Sequence, residues 1–160
     1  ALTAGILLLM VFVPPVEGRE RQSVEQKAGE VVARFPADGA QDRDSWAGEL
    51  IGLGREGLVA VCRMLVPPGK SDDSQARFAR HGVVMVVNRG GQERERALFN
   101  QALLWALEHE REKEVKAFLI RQLQLTAGDE AVKILKTYLQ DRRLCDPAAQ
   151  ALLSIGTPKA

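Results

Sequence analysis

Apolar positions along this chain recur at three- and four-residue spacing, and glycine or proline interrupts them at short intervals. Leu58, Val61, Cys62, Leu65 and Val66 fall at i, i+3, i+4, i+7 and i+8, the stripe that one face of an α-helix presents. The same rhythm predicts a helix through Val24, Ala28, Val31, Val32 and Phe35, opened by a capping box at Ser23 and Gln26 and closed by Pro36-Ala37-Asp38-Gly39. A second helix is expected from about Asp44 or Ser45, with Trp46, Leu50 and Leu53 on its stripe and Gly54 at its end. Pro67-Pro68-Gly69 stops the third. Asp72 with Gln75 then reads as a capping box before Ala76, Ala79, Val83, Val86 and Val87. The β-branched run at 83–87 also suits a buried strand, but helical neighbours on both sides favour helix. After Gly90-Gly91 a long helix is expected from about Gln92 to Glu110. Its wide stripe of Phe99, Ala102, Leu103, Ala106 and Leu107, flanked by Leu98, Leu104 and Trp105, implies neighbours on two sides. Val115, Phe118, Leu119, Ile120 and Leu123 carry the next helix, and Ala131, Ile134, Leu135, Tyr138 and Leu139 the one after. Asp146 is expected to cap a last helix with Pro147 at its first position and Gly156 behind it.

A short motif recurs within this pattern. Leu53-Gly54-Arg55-Glu56-Gly57-Leu58 matches Ala127-Gly128-Asp129-Glu130-Ala131-Val132, 74 positions on and without a gap as far as Leu65 and Leu139. Leu58 corresponds to Val132, Val61 to Leu135 and Met64 to Tyr138. Ile155-Gly156-Thr157-Pro158-Lys159-Ala160 begins a third, shorter-spaced copy. Each copy is a helix end, a glycine turn and a helix start, which is how stacked helical hairpins are written. An all-α fold follows. The interrupted copy at Ala160 further predicts that the polypeptide continues.

Composition narrows the class. At 160 residues, 46% apolar and 27% charged, the chain suits one folded domain with a substantial core. Lys plus Arg number 22 against 21 Asp plus Glu, a net charge of +1, which offers no electrostatic case for nucleic acid or an acidic membrane surface. Two cysteines, Cys62 and Cys145, are too few for a disulfide scaffold, and two separate thiols are expected rather than a bridge.

Residues 1–13 differ in kind: they are almost wholly apolar and are followed by Pro14-Pro15. The run is short for a membrane span and suits the apolar region of an export signal, with Val16-Glu17-Gly18 placing small enough residues before a cleavage at Arg19. Residues 1–18 are therefore expected to be a truncated export signal or anchor, and 19–160 the helical domain. The rival reading makes the run a buried first helix.

The stretches Glu114-Val115-Lys116-Ala117, Gly128-Asp129-Glu130-Ala131-Val132, Leu139-Gln140-Asp141, Asp146-Pro147-Ala148-Ala149 and Leu152-Leu153-Ser154-Ile155-Gly156 resemble HEAT-like repeats of the phycobilisome-lyase type. The resemblance is good over 112–160 and fair over 45–66, with Cys145 standing where the family often has valine. It implies a right-handed α–α superhelix of the armadillo-like kind, built for protein–protein interaction. No residue here carries the family's lyase chemistry across.

Candidate chemistry is sparse. His81, His109, Cys62 and Cys145 lack metal-ligand spacing, and His109-Glu110-Arg111-Glu112-Lys113 starts like a zinc-protease helix without its second histidine. His109 is expected to be solvated and His81 partly buried. Asp72-Asp73 suits capping better than acid–base catalysis. Gly52-Leu53-Gly54 lacks the lysine and hydroxyl of a phosphate loop. The alternating charges of 92–96 and 108–116 read as solvated helix junctions. The sequence thus predicts no catalytic, cofactor or metal residues. It predicts an exported scaffold, periplasmic or extracellular and with at most an N-terminal membrane anchor, that binds a protein partner or a neighbouring domain. A lyase-like or other enzyme with a cleft between hairpins is the alternative.

Overall fold

A computed structural model describes the backbone of residues 16–160 and side chains from residue 23 onward. The expected export signal at residues 1–13 lies outside the described residues. Eight α-helices follow one another among those described: α1 (Val16–Val32), α2 (Ala40–Gly52), α3 (Gly54–Arg63), α4 (Ser74–Val87), α5 (Glu93–His109), α6 (Lys113–Thr126), α7 (Asp129–Thr137) and α8 (Cys145–Ile155). A single 3₁₀ turn, Tyr138–Gln140, extends α7. The described chain contains no strand. Residues 83–87 are helical because Ala76, Ala79, Val83 and Val87 are buried at helical spacing, whereas Met85, which a strand would bury beside Val83 and Val87, is exposed.

The expected helix starts need correction at four places. Ser23 does not cap α1, which already runs from Val16 and puts Ser23 in its interior. α2 begins at Ala40, because Asp44 accepts from Arg43 and Arg89 instead of capping. At α4 the Asp72 carboxylate accepts the Ser74 N–H at 2.9 Å, but Gln75 reaches away to the Ala33 carbonyl at 3.0 Å, so no capping box closes. α8 begins at Cys145, and Asp141, not Asp146, organises its start by accepting from the N–H groups of Arg143, Leu144 and Cys145. Pro147 is then the third helical residue, still among the positions whose N–H has no partner within the helix.

Except for α7, each helix packs mainly on a next-but-one neighbour. α1 lies on α3 and α3 on α5, while α2 lies on α4 and α6 on α8, and the sequential pairs α5–α6 and α7–α8 close the arrangement. The stripes read from the sequence face inward: Leu50, Leu58, Val61, Cys62, Val83, Phe99, Leu103, Leu107, Leu119, Ile120, Leu123 and Leu135 are all buried. The matched positions of the motif share their burial, with Leu58 and Val132 buried, Val61 and Leu135 buried, and Met64 and Tyr138 half-buried. It diverges at its ends, since Leu65 is buried and Leu139 exposed.

The two glycines of the motif turn differently. Gly54 adopts φ +69, the left-handed region, and makes a corner with Leu53 alone between α2 and α3. Gly128 has φ −118 in a two-residue link between α6 and α7. The tighter corner explains the next difference. A Cβ at Gly57 would come within 2.3 Å of the Leu53 Cβ, so only glycine fits, whereas the corresponding position after the looser link holds Ala131.

Contact is uneven along the stack. α4 meets α6 and α5 meets α7 far more thinly than the other next-but-one pairs meet. A seam therefore separates a block of α1–α5 from a block of α6–α8, with α5–α6 as the main join. Two grooves open along that seam.

Candidate binding site at the seam

On the α5–α7 side of the seam a groove of about 500 Å³ is lined by Glu93, Arg96, Asn100, Gln101, Leu104 and Glu130, among others. Its floor is a fully engaged polar cluster. Asn100, 2% exposed, donates from Nδ2 to the Thr126 carbonyl at 3.0 Å and to Glu130 Oε1 at 2.8 Å. Its Oδ1 accepts the Thr126 hydroxyl at 2.6 Å, and Glu130 Oε1 also accepts the Gly128 N–H at 3.1 Å. With every amide hydrogen of Asn100 placed, the cluster clamps α5 to the α6–α7 link.

On the α4–α6 side a groove of about 390 Å³ is lined by Ser74, Arg77, Phe78, His81, Phe118, Gln122 and Leu125. Phe78 is 50% exposed and Leu125 52%, unusual for large apolar side chains this close together. Arg77 crosses the groove floor. Its Nε and Nη2 donate to Asp73 at 2.7 and 2.8 Å, and its guanidinium lies 4.3 Å from the Phe118 ring centroid. Burial works against the Asp73 charge, but the Arg77 bonds and the Val66 N–H outweigh it and hold the carboxyl below its usual range. Behind Phe118 sits Arg80, 1% exposed, with its guanidinium 4.4 Å from the same ring centroid. Among the described residues none of its three guanidinium nitrogens has a hydrogen-bond partner.

His81 is exposed, not partly buried as the sequence suggested, because it projects from the outer side of α4. It lines the α4–α6 groove and also a second cleft, about 280 Å³, that it shares with Asp38 and Arg43. His109 is the last residue of α5 and exposed. Its ring stacks on Trp105 at 4.0 Å, and its Nδ1 is 2.7 Å from the Trp105 carbonyl, which makes that nitrogen the protonated one. Glu110 follows in extended conformation, so the protease-like His109-Glu110 pair does not share a helix. Neither histidine bonds a carboxylate among the described residues.

Both cysteines are free. Cys62 is buried and Cys145 partly so, and burial pushes the Cys62 thiol up against the pull of Arg80. Among the described residues no group of three His, Cys, Asp or Glu is placed to hold a metal ion. No described helix is long and apolar enough to cross a membrane. Asp72 and Asp73 are spent on Ser74, Val66 and Arg77. The charged junction at 108–116 is exposed and forms surface ion pairs, Lys113 with Asp141 and Arg143 with Glu114, of small energetic weight.

The sequence reading missed Arg80, Asn100 and Thr126. Arg80 and Asn100 carried a signal: each is a polar residue standing on an apolar stripe, Ala76-Ala79-Arg80-Val83 and Asn100-Leu103-Leu107. The fold and seam define an all-α protein of next-but-one packed helices with a groove on either side. No protein-family model matches this chain, and no curated protein or solved structure does either.

Proposed function

We propose that this chain is a non-catalytic protein-binding scaffold of HEAT-like helical hairpins, wound as a right-handed α–α superhelix and working outside the cytoplasm in a larger exported protein. The observation that carries this reading is next-but-one packing of short helices into two layers, which is how hairpin repeats share one continuous core. Phe78 and Leu125, exposed beside each other along the α4–α6 groove, supply an apolar contact area of the kind that partner proteins cover. The partner is a protein or a neighbouring domain of the same polypeptide. The test is a paired substitution, Phe78→Glu with Leu125→Glu, in the full-length polypeptide. The scaffold reading expects unchanged helical content and loss of a partner identified by cross-linking in the native host. Retention of that partner by the folded variant would place binding elsewhere and count against this surface.

The enzyme reading has one observation in its favour, the cleft that His81 shares with Asp38. It expects an activity, found by screening small substrates, that His81→Ala reduces by at least about tenfold. A screen without such an activity leaves the scaffold reading in place.

A further inference from the structure

Arg80 is the least explained group in the described structure. A guanidinium is protonated at neutral pH even after burial lowers its pKa to about 10. A buried charge without hydrogen bonds is among the most costly features a fold can carry, so an acceptor is expected within reach. Among the described residues none is provided. Asp73, the nearest acidic influence on Arg80, has both carboxylate oxygens committed to Arg77 and to the Val66 N–H. Cys62, the other group acting on it, is a buried thiol kept neutral by its own desolvation.

The Phe118 ring links Arg80 to the α4–α6 groove, since it contacts the guanidinium and also lines the groove. Phe118 is only partly buried. A rotation about its side-chain torsions would open Arg80 to the groove with Arg77 alongside, and such rotations are fast for partly exposed residues. The groove walls suit an anion with an apolar body: Phe78, Phe118 and Leu125 are apolar, and the lining contains no carboxylate. Its volume of about 390 Å³ lies within the range of small-molecule sites. Inorganic phosphate would match the guanidiniums but leave the apolar walls unfilled.

We propose that the α4–α6 groove binds a small monocarboxylate with an apolar body, its carboxylate taken by Arg80 and Arg77 once Phe118 swings aside and its body lying against Phe78 and Leu125. This site shares Phe78 and Leu125 with the surface assigned to the protein partner, but it does not need that partner, and its test reads a small ligand apart from partner binding. It is tested by thermal unfolding of the full 160-residue chain with hexanoate, hexanol or inorganic phosphate. Hexanoate should raise the midpoint in proportion to the logarithm of its concentration once that exceeds its dissociation constant, by roughly 5–10 °C at about 100 times that constant. Hexanol and phosphate should give no such rise. Arg80→Met should abolish the response to hexanoate. Leu125→Glu, an exposed substitution that spares the core, should weaken hexanoate at least about tenfold by placing a like charge at the groove wall. No rise with hexanoate would overturn the proposal, as would an equal rise with hexanol or with phosphate. A response unaltered in either variant would overturn it too, and Leu125→Glu decides the matter if Arg80→Met does not fold.

Discussion

Asn100→Ala removes the clamp between α5 and the α6–α7 link, and its cost can be worked from the three bonds it breaks. The Thr126 carbonyl loses its donor at 3.0 Å in a buried position, which costs about 1–3 kcal/mol. The bond to Glu130 at 2.8 Å is charge-assisted, but Glu130 is exposed and keeps the Gly128 N–H, so its loss adds only about 0.5–1 kcal/mol. The Thr126 hydroxyl loses Asn100 Oδ1 yet can turn to the Gln122 carbonyl, 3.2 Å away, and contributes little. The expected destabilisation is about 2–4 kcal/mol, read by urea unfolding followed by circular dichroism. Asn100→Asp should cost more at neutral pH, because it replaces the amide donor with an acceptor facing the Thr126 carbonyl and the Glu130 carboxylate. A double-mutant cycle isolates the cluster. Asn100→Ala and Thr126→Val share a broken bond, so their combined effect should fall short of the sum by about 1 kcal/mol or more. A loss below about 0.5 kcal/mol for Asn100→Ala, or additivity within about 0.3 kcal/mol, would show that the clamp does not couple these elements.

Leu135 is completely buried in α7, so Leu135→Ala should cost about 2–5 kcal/mol in the same unfolding assay; a loss under about 0.5 kcal/mol would contradict the packing. The two motif glycines should respond unequally. Gly54→Ala forces a side chain into the left-handed region and should cost about 1–2 kcal/mol, while Gly128→Ala, meeting only the movable Glu130 Oε2 at 3.1 Å, should cost less than about 1 kcal/mol; equal costs would refute the difference in turn geometry. Asp73 supplies a pH test: its folded pKa lies below the unfolded value, so its stabilisation is present above the unfolded value and is lost as pH falls through the folded one. The stability gap between wild type and Asp73→Asn should therefore shrink as pH drops below about 4, and a gap that widened on acidification would reverse the assignment.

Helix existence was the most legible level of this chain. Every stripe from Val24 to Leu135 maps onto a helix, with most of its members buried or packed against the core, and Gly54, Gly91 and Gly156 take positive φ at breaks the sequence marks. Helix starts were less legible, because a carboxylate such as Asp44 or Asp72 can cap, pair with arginine or close a turn, and local sequence does not say which. At Asp44 the deciding partner is Arg89, 45 residues away. The candidate site was least legible. Arg77, Phe78, His81, Phe118, Gln122 and Leu125 come from two helices separated by an intervening one, and nothing in either stripe states that α4 and α6 would meet thinly enough to leave a groove.

The sequence by itself determined an all-α chain, its segmentation into helices and the repetition of one turn-and-helix motif, because helical periodicity and glycine or proline punctuation are local properties. Tertiary structure alone decided which faces meet, that Gly54 and Gly57 make a sharper corner than Gly128 and Ala131, and that Arg80 is enclosed behind Phe118 without an acceptor. A stripe shows that a helix has an inner face; the residue opposite that face depends on how distant helices cross, and no spacing along the chain encodes that crossing.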